Sequence, residues 1–325
     1  MRALVWIVAI LGVLWCGWWF VGERGAEKAV AMVMDQAAVR GLAVRHAGVE
    51  VAGFPNRFDV TLTEPRVEDV AHGVTWSAPF AQILTLSYAP WNLIAALPDD
   101  QTISLQGQEV ALKSTRMQGS LFTRPLPSVP LKRLDLVAEG VSLRSDLGWS
   151  LGVGSANAAL IAGEGTQAQL ALRMLDLVPD QALTAALATT DLPGTVERLS
   201  LLADLTLRAP IALMDGAPQV EAVDLREALV TWGPVKVKGE GRLVADAQGQ
   251  AEGTITFTVQ GWREALTAAE AMGLVPARFQ VALRSVAENL AVQSKVPGQL
   301  DLPLVARNGR MMLGPIPLGA APLLR

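Results

Sequence analysis

Cysteine occurs once in these 325 residues, at Cys16, so no intrachain disulfide can staple the fold. That cysteine lies inside an uncharged apolar run, where a thiol has no nucleophilic role. Trp15 stands directly before it, where a lipid-attachment signal would place a small residue. Histidine occurs twice, at His46 and His72, with no HExxH and no paired spacing. No ladder of aspartates resembles a calcium loop, and both histidines are expected to face solvent. No Gly-x-Ser-x-Gly elbow is present. The glycine pairs at 152/154, 163/165 and 239/241 do not continue into a phosphate-binding loop, and they read as bulges or strand turns. Glu68 and Asp69 would point to opposite faces of a strand, and Asp99-Asp100 after Pro98 reads as a solvated turn. The expectation is a protein that is not an enzyme and takes no cofactor. Lys and Arg total 27 against 31 Asp and Glu, the net charge is −4, and no basic run exceeds two residues. A nucleic-acid partner, which needs a basic footprint, is therefore excluded from the expectations.

Charge in general is scarce, at 18%, while 51% of residues are hydrophobic, a balance that favours a folded chain over disorder. The longest unbroken apolar stretch, residues 3–21, carries no charge and would form a helix of about 28 Å, close to the hydrocarbon thickness of a bilayer. Its end, Gly17-Trp18-Trp19-Phe20-Val21, is too bulky for signal peptidase, so a retained transmembrane anchor over 1–22 is expected. Trp15, Trp18 and Trp19 at that end suit an interfacial aromatic belt. The anchor implies a single-pass inner-membrane protein with its main domain in the periplasm.

Residues 23–41 repeat Ala26, Ala29/Val30, Val33 and Ala37 at helical spacing up to Gly41, predicting an amphipathic helix. Alternating stretches then predict strands at 58–62, 75–78, 82–88, 102–105, 110–113 and 119–122, with a hairpin corner at Gly53-Phe54-Pro55-Asn56. Arg57 and Asp59 would share a strand face and form a local ion pair. The organisation expected is a first meander over 42–124, a Pro-rich connector over 125–132, and a second meander over 133–325. Within the second, 133–139 echoes 198–204, and 134–175 loosely echoes 223–262. Helical inserts are expected at 179–189, 262–272 and 278–290, the last on Phe279, Leu283, Val286 and Leu290, and a final hairpin at Asn308-Gly309.

The motif Gly53-Phe54-Pro55-x-Arg57-Phe58-Asp59 stands with Trp76-Ser77-Ala78-Pro79, Leu86-Ser87-Tyr88-x-Pro90 and the closing Gly314-Pro315-Ile316-Pro317-Leu318-Gly319. Together they resemble a proteobacterial envelope family known as domain of unknown function twenty-one twenty-five. That resemblance implies no reaction and no catalytic residue. At the level of architecture the chain is also similar to AsmA-like, bridge-type envelope proteins implicated in lipid traffic.

The fold expected is α+β and mostly antiparallel β: an N-terminal helix followed by a large curved sheet with a few covering helices. Leu199, Leu201, Ala203, Leu205 and Leu207 fall on one strand face, which something must cover. Two readings stand. Either the helical inserts seal that face, or it forms a trough for membrane lipid or another hydrophobic ligand. A rival function is a structural scaffold that docks envelope proteins through sheet edges.

Overall fold

The computed structural model describes residues 2–324 apart from 189, 274, 276, 295, 297 and 315; the side chains of 2–5, 7–9, 12, 278, 279, 282 and 293 also lie outside that description. Phe279 and Pro315, named above, are among these exceptions. The expected class holds, with antiparallel strands dominating and four helices among the described residues. The chain divides into two compact units, one comprising residues 1–123 with 141–148 and the other residues 124–140 with 149–325.

The first unit begins with α1 (Arg2–Val39), which runs unbroken through both the apolar stretch and the amphipathic segment. Gly41, with φ of 83°, ends it, because that left-handed conformation costs glycine no steric strain. Trp19, Gly22, Ala26, Val30, Met34 and Ala37 make its more buried stripe at three- and four-residue steps. Met34 takes the place expected for Val33, which is exposed, so the helix is rolled slightly from the predicted face. Among the described residues, no helix is long and apolar enough to cross a membrane.

Ten strands follow: β1 (Leu42–Arg45), β2 (Gly48–Ala52), β3 (Arg57–Thr63), β4 (Arg66–Asp69), β5 (Val74–Ser77), β6 (Phe80–Leu86), β7 (Ala89–Leu97), β8 (Asp100–Leu105), β9 (Gln108–Lys113) and β10 (Arg116–Thr123). They pair in two antiparallel runs. One is β2-β3-β6-β7-β10 and the other β1-β4-β5-β8-β9, which ends on residues 142–145 of β11 (Leu131–Ser145). The chain thus makes long legs that all break at one level, at 46–47, 64–65, 78–79, 98–99 and 114–115. Pro65, Pro79 and Pro98 occupy this crease, where a residue without an N–H ends a ladder at least cost. The breaks are stitched by Ala47 N–H to Thr63 O, Glu64 N–H to Pro79 O, Ala78 N–H to Pro65 O and Ser114 N–H to Asp99 O. β7 was not expected; Pro90 is tolerated there at the strand's second residue.

The second unit is a meander of β12 (Ser150–Ala162), β13 (Gln167–Val178), β14 (Val196–Leu207), β15 (Val220–Trp232), β16 (Val235–Ala245), β17 (Ala251–Gln260), β18 (Gln299–Arg307), β19 (Arg310–Leu313) and β20 (Ile316–Ala320). Each is antiparallel to the next. The two echoing segments correspond to β11–β13 and β15–β17. The inserts form α2 (Gln181–Leu187), α3 (Trp262–Ala271) and α4 (Ala277–Gln293). Asp180 caps α2 by accepting the Leu183 N–H at 2.7 Å. Asn308 and Gly309, both at positive φ, close the β18–β19 hairpin as their sequence demands.

Candidate functional site

The apolar alternation of β14 continues sideways. Antiparallel partners share a face, so the register of β12–β18 assigns every residue opposite Leu199, Leu201, Ala203 and Leu205 to one surface. The row through Leu201 reads Ala158, Leu172, Leu201, Ala228, Gly239, Phe257 and Leu302. The row through Ala203 reads Leu160, Leu170, Ala203, Leu225, Gly241, Ile255 and Leu304. The rows through Leu199 and Leu205, from Ala156 to Leu300 and from Ala162 to Ala306, are equally free of polar side chains. Seven strands therefore present one continuous apolar face.

Two details keep it continuous. The register shifts between Leu202 and Ala203 and again between Leu225 and Ala228, a bulge at Arg226-Glu227. The extra residue lets both charged side chains be exposed while Leu225 and Ala228 stay on the apolar side. Phe257 lies directly over Gly239, where a Cβ would collide with its ring.

Cover is uneven. Leu187 of α2, Leu192 and Ala268 of α3 pack on Val235 of β16. Trp262 and Ala287 of α3 and α4 pack on Val259 and Leu300. Ala321 of the C-terminal tail packs on Ala251 and Ala306. These are the β16–β18 end and one border. At the centre, Ala203 (2% exposed), Leu225 and Ile255 are buried by Leu201, Leu205, Val223, Ala228, Leu243, Phe257 and Leu304, all of them strand residues. Ala156, Ala158, Leu172 and Met174 toward β12 and β13 are half-buried. Leu207 lies beyond a second irregularity at Thr206 and is buried apart from this cluster. Of the residues singled out on β14, Leu199, Leu201, Ala203 and Leu205 lie in these rows. That the neighbouring strands join β14 in one face was not foreseen, although the alternation Ala156, Ala158, Leu160, Ala162 could have pointed to β12.

The opposite face is solvated and ionic. Arg133 meets Asp135 at 2.6 Å, Arg226 meets Asp204 at 2.6 Å, and Arg242 meets Asp224 at 3.2 Å. Bonds from Arg226 and Gln169 hold the Asp204 carboxyl below its ordinary value. A shallow groove of about 620 Å³ there is lined by Arg133, Asp135, Asn157, Arg173, Ser200 and Glu227 among others. Among the described residues, no group of three His, Cys, Asp or Glu could hold a metal.

The family-like motif is elsewhere, in the first unit, and does something different. Gly53 to Asn56 form the β2–β3 turn, with a cis Phe54–Pro55 bond and Arg57 N–H donating to Gly53 O at 2.9 Å. Three indoles of α1 donate to this turn and its neighbour: Trp15 to Pro55 O at 3.1 Å, Trp19 to Arg57 O at 2.8 Å, and Trp18 to Ser87 O at 3.4 Å. Trp19 is 6% exposed; its ring stacks on Phe58 and meets Phe20 and Phe54 edge-on. Gly22 leaves room for the Phe58 ring. Arg57 and Asp59 form the expected pair at 2.6 Å. The motif is therefore a clasp that grips α1. Trp19 and Gly22 are its unforeseen half, hidden because an anchor was expected to point only at lipid.

The histidines divide. His72 is exposed and bonded to Asp69 at 2.8 Å, but His46 at the crease is half-buried, with Nδ1 enclosed and unpartnered, and does not face solvent as expected.

A comparison with curated proteins and with solved structures returns no match. One family model does match, over residues 19–322, beginning at the indole that fills the clasp. The chain belongs to DUF2125, described as an uncharacterised protein conserved in bacteria.

Proposed function

We propose that this chain is a non-enzymatic envelope protein, anchored in the inner membrane by residues 3–21 with its main body in the periplasm, that shelters an acyl chain or similar hydrophobic ligand on the apolar face of its second unit. The carrying observation is the apolar face of β12–β18: its central cluster, on β14–β18, contains strand residues only among the described residues, and Ala156, Ala158, Leu172 and Met174 on β12 and β13 are only half-buried. Each methylene laid against such a surface gains about 0.8 kcal/mol by leaving water. Nineteen uncharged residues at the N-terminus keep the unit next to a lipid source. Docking through a strand edge is less favoured. β20, an exposed strand paired among the described residues only with β19, carries Pro317, and its pairing shifts register opposite Met311 and Met312, both devices that blunt an edge.

Native mass spectrometry of the full chain after gentle detergent extraction tests the proposal. Co-purifying lipid of fixed stoichiometry is the expected result. A stoichiometric protein partner without lipid would replace this reading by the scaffold.

A further inference from the structure

The clasp fixes more than the helix. Pro55 O is bonded to Trp15 and Ser87 O to Trp18, and the two turns are joined by Ser87 N–H to Asn56 O at 2.9 Å. Trp15 precedes Val21, the end of the uncharged run, by six residues, which is about 9 Å along the helix. Residues 3–14 alone would span only about 18 Å, against a hydrocarbon core of about 30 Å. A helix that crosses the bilayer must therefore use the Trp15–Trp18 level as well, and whatever is bonded at that level goes in with it.

We infer that the β2–β3 and β6–β7 turns of the first unit sit within the headgroup region of the bilayer, with Phe54 and Tyr88 inserted beside Trp15 and Trp18. The inference rests on the anchor reading above. Their chemistry fits the site. Phe54 is 51% exposed and Tyr88 61%, with Phe20 and Trp18 also exposed around them. Tyr88 and Trp18 each carry a polar end of the kind that partitions to this layer, and Phe54 adds apolar area beside them. The indole N–H groups occupy the carbonyls of Pro55, Arg57 and Ser87, so the turns enter with those acceptors satisfied. Arg57, the one charged residue between 53 and 58, is paired with Asp59 and long enough to reach the phosphate layer.

The single native cysteine makes the test direct. In the full chain carrying Cys16→Ser, a lone cysteine is introduced at Leu11, Phe54 or Tyr88, labelled with a nitrobenzoxadiazole dye and reconstituted in phosphatidylethanolamine–phosphatidylglycerol vesicles. Nitroxide lipids labelled near the headgroup should remove most of the emission at 54 and 88, and deep nitroxides most of that at 11, with iodide removing little from any. Tyr88 contributes no hydrogen bond or ring contact to the clasp among the described residues, so it decides the matter if the Phe54 substitution disturbs folding. Quenching at 11 by lipid, with 88 quenched only by iodide, overturns the insertion and leaves the anchor standing. Quenching of all three only by iodide removes the anchor and the insertion together.

Discussion

A Cβ placed on Gly22 would collide with the ring of Phe58, which is 5% exposed and stacked on Trp19. Neither ring has room to swing aside. Gly22→Leu is expected to lower stability by about 1–3 kcal/mol, typical of overpacking, and to be read as a fall in Tm. Trp19→Phe keeps a ring but strands the Arg57 carbonyl that accepts its N–H at 2.8 Å, a loss of about 1–2 kcal/mol; Trp19→Ala, which also empties the site, should cost about 3–5 kcal/mol. Denaturant titration of the pair separates the bond from the packing. On the second unit, Arg226 first and Gln169 next hold the Asp204 carboxyl below 3.8. Their support is complete above that pH and fades as the pH falls through the lowered value. Because Arg226 is largely exposed, solvent screening keeps that support small. Asp204→Asn should flatten the acid limb of a Tm-against-pH curve and leave neutral Tm nearly unchanged.

At the level of elements, β16 and β17 approach each other through glycines. A Cβ on Gly241, at φ of 152°, would strike the carbonyl of Thr254, and one on Gly253 the carbonyl of Arg242. These are backbone atoms in a paired ladder and cannot yield as a side-chain tip can. Gly241→Ala is expected to destabilise by about 2 kcal/mol, measured by denaturant unfolding, whereas Gly73→Ala, with open space around it, costs only its positive φ. The elements themselves were largely legible. Alternation located β3, β5, β6, β8, β9 and β10, and helical spacing located α2, α3 and α4, because period and turn chemistry are local properties. β7 was not legible in this way. The crease was not either: prolines mark corners one at a time, and only pairing shows that the corners line up.

For the molecule as a whole, the decisive quantity is how much of the seven-strand apolar face remains open. Ala158 lies on that face and Ala159 on the other, so one step along β12 changes sides. Ala158→Phe should fill the trough and abolish lipid co-purification with little change in Tm, while Ala159→Phe should leave the lipid in place; native mass spectrometry reads both. Equal lipid in the two variants would assign the lipid to another surface. The sequence by itself determined the mostly antiparallel α+β class, the helical inserts, the Asn308-Gly309 hairpin and the oily side of β14, because each is dictated by periodicity or by the backbone angles a residue permits. Only the tertiary structure decided that β12–β18 align into a single apolar face, that the helices cover one end of it, and that the Gly53–Asp59 motif holds α1. Those facts depend on register and on side chains meeting across dozens of residues, and no local pattern encodes which distant partner a strand or an indole will find.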